Sequence, residues 1–142
     1  MHNLPQERLV IAIRAAASTE AMLEATVAYT KDRNVFGKPL FELQNTRFAL
    51  ASVKSQSEMV RVFVDHCLEL LLRGELSPER AAMAKLVATE AQGKALDELL
   101  QLHGGYGYMY EYMIGRAWRD ARIMRIYGGS SEIMKEIICR TL

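Results

Sequence analysis

No stretch of this 142-residue sequence is apolar for long enough to cross a bilayer; its longest runs are cut by charge, as in Cys67-Leu68-Glu69-Leu70-Leu71-Leu72-Arg73. Cysteine is scarce. Cys67 and Cys139 lie far apart, which excludes a disulfide-stapled scaffold and gives no clustered ligand set for a metal such as zinc. Both read as free thiols of a reducing compartment. An excess of one charge is missing as well: 18 basic residues face 17 acidic ones, with no lysine-arginine block, so neither a nucleic-acid footprint nor a polybasic membrane anchor is present. There is no alternation of the kind that marks strands, no internal repeat and no low-complexity segment. Met1 is followed by His2-Asn3-Leu4-Pro5 rather than by a basic region and an apolar core, so no secretory signal is read. The almost immediate onset of helical patterning points to a piece of a longer polypeptide.

What is present is helix. Pro5 sits where a first turn tolerates it, with Asn3 or Leu4 at the cap and Glu7 in the turn, and a stripe of Val10, Ile13, Ala17, Ala21, Ala25 and Ala28 predicts one helical face. The pattern breaks over Arg33-Asn34-Val35-Phe36-Gly37-Lys38-Pro39. A second long helix is expected from about Leu40 to Leu72, with Val60, Phe63, Cys67, Leu70 and Leu71 on its apolar side and Gly74 as its stop. Ser77 as cap and Pro78 at the first position open a third helix reaching about His103, striped by Ala84, Ala88, Ala91, Ala95, Leu99 and Leu102. Gly104-Gly105-Tyr106-Gly107-Tyr108 ends it. Short helical pieces are expected between Ile114 and Ile126, and a last helix from about Ser131 to Arg140. The fold class is therefore all-α, an antiparallel four-helix bundle, and the length fits a single domain.

Several chemistries are excluded by what those helices do not carry. A di-iron bundle needs Glu-x-x-His pairs, and none occurs. A hydrolytic triad lacks its nucleophile turn, and His2, His66 and His103 are scattered. The informative residues sit at helix ends. Ile126-Tyr127-Gly128-Gly129-Ser130-Ser131-Glu132-Ile133 is a glycine turn feeding a helix N-terminus, with free N–H groups that suit a phosphate or a polarised carbonyl. Arg33 brings a planar, permanently charged donor set to the first helix end, and Gly104 and Gly105 permit close approach to the backbone. Taken alone, Arg33 also reads as a C-terminal cap, Gln44 as surface decoration and the turn as a plain helix connection.

Tyr29-Thr30-Lys31-Asp32-Arg33-Asn34-Val35-Phe36-Gly37-Lys38-Pro39 with Gln44, then Gln101-Leu102-His103-Gly104-Gly105-Tyr106-Gly107-Tyr108, then Arg119-Asp120-Ala121-Arg122 leading into the Gly128-Gly129 turn, follow one another in order over essentially the whole chain. Together they closely resemble the C-terminal helical domain of acyl-CoA dehydrogenases. The resemblance implies the third part of a three-domain flavoprotein that holds FAD between a β-domain and this bundle. It implies that Arg33, Phe36 and Gln44 contact the FAD of a neighbouring subunit, with Gln101, Gly104 and Gly105 as a second flavin-contacting group and Ser130 and Glu132 as contacts after the turn. It further implies a homo-oligomer, dimer or tetramer, an acyl-CoA substrate, and an electron-transfer flavoprotein as redox partner. The expected compartment is the bacterial cytoplasm, with the mitochondrial matrix as the alternative.

The implied reaction is α,β-dehydrogenation of an acyl-CoA thioester, in which a carboxylate takes the α-proton. Many members carry that glutamate before the second glycine of the turn. This sequence has Gly128 there. Long-chain and isovaleryl members instead carry the base on the first helix, before a substrate-binding arginine, and Pro5-Gln6-Glu7-Arg8 fits that arrangement. Glu7 is accordingly the expected base, Arg8 a contact to the CoA part, and Tyr127, Gly128 and Gly129 the substrate-facing turn, with the Gly128 N–H polarising the thioester carbonyl. Glu7 by itself also reads as a first-turn acid favoured by the helix dipole. Two rivals stand beside this reading: an acyl-CoA oxidase or nitroalkane-type relative, and a bundle serving only as an assembly module. The isolated chain is expected to hold little FAD and to be inactive.

Overall fold

The structure is a computed structural model and describes residues 3–142, so His2 lies outside the described residues. Three long helices dominate: α1 over Leu4–Asp32, α2 over Gln44–Leu72 and α3 over Pro78–His103. A single turn, α4 (Gly105–Tyr108), leads to α5 (Met113–Met124) and α6 (Ser131–Cys139), both packed on α3. The all-α bundle expected from the sequence is what forms, with α3 at its centre, touching α1, α2, α5 and α6. Its caps are those the sequence encodes: Ser77 accepts from the Arg80 N–H, and Ser130 accepts from the Ile133 N–H at the start of α6.

Two expectations are corrected. The chain between α1 and α2 holds a small antiparallel hairpin, β1 (Asn34–Val35) with β2 (Lys38–Pro39), turning at Phe36 and Gly37, both at positive φ. The Leu40 N–H closes it on the Arg33 carbonyl, and one 3-10 turn over Leu40–Glu42 redirects the chain. Leu43 is extended, so α2 starts at Gln44 rather than at Leu40.

The α1 stripe is also out of phase. Val10, Ala17 and Ala21 are exposed, while the buried face runs through Leu9, Ala12, Ala15, Ala16, Thr19, Met22, Leu23, Thr26 and Thr30. Threonine hides that face from an apolar count. Thr19, Thr26 and Thr30 donate their hydroxyls to the carbonyls of Ala15, Met22 and Val27, which satisfies the polar atom and leaves the methyl to pack. On α2 the buried positions Thr46, Leu50, Val53, Ser57, Val60, Val64 and Cys67 repeat at alternating steps of three and four, the seam of close helix packing. The alanine stripe of α3 lies where the sequence puts it, with Leu102 only partly buried.

The core forms two clusters along the bundle. Leu9, Ile11, Val64, Ala84, Ala88 and Met124 fill the end where α1 begins. Met22, Leu23, Leu50, Leu96, Leu99 and Ile114 fill the end where α1 and α3 finish. Each cluster underlies one of the sites described next.

Candidate functional site

At the finishing end, a hollow of about 590 Å³ opens between the last turns of α1 and α3. Arg33, Gln101, Gly104 and Gly105, two separate sequence segments, line it together. Beneath lies an aromatic floor. Tyr29 stacks on His103 with ring centres 4.1 Å apart, and Tyr112 meets both rings edge-on. The Arg33 guanidinium sits 5.2 Å above the Tyr106 ring. His103 is held by its Nδ1 against the Leu99 carbonyl at 3.0 Å, and burial lowers its pKa, only partly offset by that carbonyl. A neutral imidazole leaves Arg33 as the permanent charge of the lining. A Cβ at Gly104 or Gly105 would meet no protein atom within 4 Å, so both positions border open space.

The residues present fit one end of a dinucleotide: an exposed guanidinium for a diphosphate, aromatic faces for a ring, and bare backbone for close approach. Phe36 and Gln44 are not brought into this hollow. Phe36 projects from the hairpin tip, 95 % exposed, and Gln44 is exposed at the first position of α2.

The second site lies at the opposite end. The glycine turn bends through φ +68° at Gly128 and +104° at Gly129, conformations that side-chain-bearing residues rarely adopt. A Cβ at Gly128 would fall 2.8 Å from Ile11 Cδ1, and one at Gly129 would fall 2.6 Å from Met134 Cε. The turn is held from two sides. From below, Arg8 Nε donates to the Gly128 carbonyl at 3.4 Å and Lys85 Nζ donates to the Gly129 carbonyl at 2.5 Å. From the frame, Glu90 takes a bidentate pair from Arg125 at 2.9 and 2.8 Å and accepts from the Ser131 hydroxyl at 2.7 Å. Burial opposes ionisation of Glu90, but the Ser131 hydroxyl and the Arg125 guanidinium outweigh it and hold the carboxyl below its usual range.

Tyr127 and Gly128 are exposed at the turn, and Ser130 and Glu132 follow it as the cap and first turn of α6. The Glu132 carboxyl is held low by its own backbone N–H and by Ser130. Glu7 is exposed in the first turn of α1, next to the buried Arg8. Arg8 thus meets the turn of Tyr127, Gly128, Gly129, Ser130 and Glu132, with Glu7 its neighbour on α1, while Arg33, Gln101, Gly104 and Gly105 line the other hollow. At a helical rise of 1.5 Å, the 25 residues from Arg8 to Arg33 put the two about 37 Å apart.

Sequence reasoning missed Lys85, Glu90, Arg125 and the Tyr29–His103 stack. Lys85 had a signal: it is a cation directly after the run Ala81-Ala82-Met83-Ala84, on a face that an amphipathic helix buries.

The fold is an α-helical bundle with a glycine turn at one end and a cationic, aromatic hollow at the other. This chain belongs to the family described as acyl-CoA dehydrogenase, C-terminal domain, whose model matches residues 1–142. It is 46 % identical over its whole length to the long-chain specific mitochondrial acyl-CoA dehydrogenase of Sus scrofa, of which it covers 33 %. Among solved structures, an acyl-CoA dehydrogenase from Geobacillus kaustophilus is 42 % identical with a TM-score of 0.96, the match covering 99 % of this chain and 37 % of that one. A Mycobacterium smegmatis glutaryl-CoA dehydrogenase in complex with FADH2 is 28 % identical with a TM-score of 0.93, covering 97 % of this chain and 36 % of that one. The chain therefore spans about a third of the length of the curated relatives it matches.

Proposed function

We propose that this chain is the helical domain of an FAD-dependent acyl-CoA dehydrogenase, which converts acyl-CoA thioesters to 2-enoyl-CoA. The observation that carries the reading is the Arg8–Gly128 contact. It joins the first turn of α1, where Glu7 stands, to a glycine turn that has no carboxylate of its own. In this reading Glu7 takes the α-proton of the thioester. The Gly128 N–H donates to the thioester carbonyl, where negative charge develops as the proton leaves, and the glycine leaves room for the acyl chain beside it. Arg8 spends its Nε on the turn, so its terminal nitrogens are the ones left for the CoA part. FAD, when bound, supplies the acceptor for the β-hydride.

Arg33, Gln101, Gly104 and Gly105 would hold the diphosphate and adenosine end of FAD, and Ser130 and Glu132 the flavin end. A separation of about 37 Å along α1 is longer than one dinucleotide reaches, which favours two FAD molecules touched by each chain. One belongs to its own subunit and one to a neighbour, so the enzyme is a homo-oligomer whose Phe36 and Gln44 also face the neighbour. Electrons then leave to an electron-transfer flavoprotein.

The test is anaerobic addition of an acyl-CoA to the full-length protein. Loss of oxidised-flavin absorbance matched by 2-enoyl-CoA supports the reading, and a flavin left oxidised by acyl-CoAs of short, long and branched chain refutes it.

A further inference from the structure

Lys85 is 1 % exposed, and among the described residues no carboxylate forms an ion pair with it. The charged group that faces it is another cation, Arg8 on α1, and burial followed by that cation lowers its pKa. A buried ammonium without a counter-ion costs stability, and a methionine would fill the same volume without that cost. What the ammonium touches is the turn: its Nζ meets the Gly129 carbonyl, and its Cε lies 3.6 Å from where a Gly128 Cβ would be. With Arg8 on the preceding carbonyl, two successive peptide planes are pinned from beneath. In a trans peptide the N–H points opposite the carbonyl, so pinning both oxygens downward aims the Gly129 and Ser130 N–H groups away from the core, while the Gly128 N–H, on the peptide just before, is held through the turn that these two contacts fix. Neither donates to a backbone carbonyl among the described residues. Two positive charges under the same turn also set a field that favours negative charge above it.

We propose that Lys85 is a positioning residue for the dehydrogenation: its ammonium fixes the Gly128–Gly129 turn and biases its field toward the enolate-like charge that forms when the α-proton is removed. The proposal rests on the reaction assigned above. It separates from a packing role because the charge serves the reaction at the expense of the fold.

The experiment is single-turnover flavin reduction at saturating acyl-CoA in full-length holoenzyme, for wild type, Lys85→Met and Lys85→Arg, with FAD content, acyl-CoA affinity and thermal midpoint measured alongside. Lys85→Met is expected to lower the reduction rate roughly 10- to 100-fold, the range seen for groups that orient a reacting site. It is expected to keep its FAD, bind acyl-CoA within about threefold of wild type and melt at or above the wild-type temperature. Lys85→Arg, which keeps the charge, is expected to retain at least about a tenth of the wild-type rate. Wild-type reduction rates in Lys85→Met overturn the proposal. So does a Lys85→Met protein that fails to fold or melts well below wild type, because the lysine is then structural. A wild-type enzyme whose flavin acyl-CoA does not reduce overturns the assigned reaction itself, and the proposal with it.

Discussion

Arg8 and Gly128, 120 residues apart in sequence, meet through an Nε-to-carbonyl hydrogen bond of 3.4 Å. That contact fastens the start of α1, whose first turn carries Glu7, to the turn before α6. Arg8 thus satisfies the Gly128 carbonyl, and Glu7 stands beside it in the first turn of α1.

The Gly128 conformation makes a first prediction. Gly128→Ala in the full-length protein destabilises by about 1–2 kcal/mol in chemical denaturation, the cost of a left-handed L-residue. Adding Ile11→Val removes the Cδ1 atom that a new Cβ would meet at 2.8 Å and recovers only a small part, because that atom is the free end of a side chain. In a Glu7→Gln background, Gly128→Glu restores part of the flavin reduction, and more when Ile11 is also Val.

Glu90 is the anchor of the turn's frame. Its carboxyl titrates below the unfolded value of about 4.3, so its contribution is fully present above that pH and is lost as the pH falls through the depressed folded value. Glu90→Gln therefore destabilises by about 1–2 kcal/mol at neutral pH and by less as the pH drops below 4. Denaturation midpoints of the two proteins measured from pH 7 to pH 3 converge if this is correct and stay parallel if it is not.

Arg33 is expected to hold phosphate oxygens. Arg33→Met in the full-length protein weakens FAD retention roughly 10- to 100-fold, the effect of one charge-assisted contact, and Arg33→Lys falls between because an ammonium lacks the planar fork. FAD dissociation followed by flavin fluorescence checks this, and retention unchanged in Arg33→Met removes the guanidinium from the cofactor site.

The helices and their caps were legible because the signals are local: Ser77-Pro78, Gly74 and Ser130 each act within a turn of their own position. The alanine stripe of α3 was legible for the same reason. The buried face of α1 was not, since three threonines satisfy their hydroxyls on their own helix and count as polar in any apolar pattern. Of the two sites, the backbone-permissive glycines and Arg33 stood out by residue type. Glu90 did not, and Lys85 showed only as a cation on a buried face, because their roles come from partners 41 and 44 residues away, brought together only by packing.

The central claim is that Glu7 is the base for a turn that has none. Its most direct test is the single-turnover rate of flavin reduction by saturating acyl-CoA in full-length Glu7→Gln holoenzyme. A fall of about 10²- to 10⁴-fold with FAD and acyl-CoA binding intact is the predicted result, and a rate near wild type would contradict it.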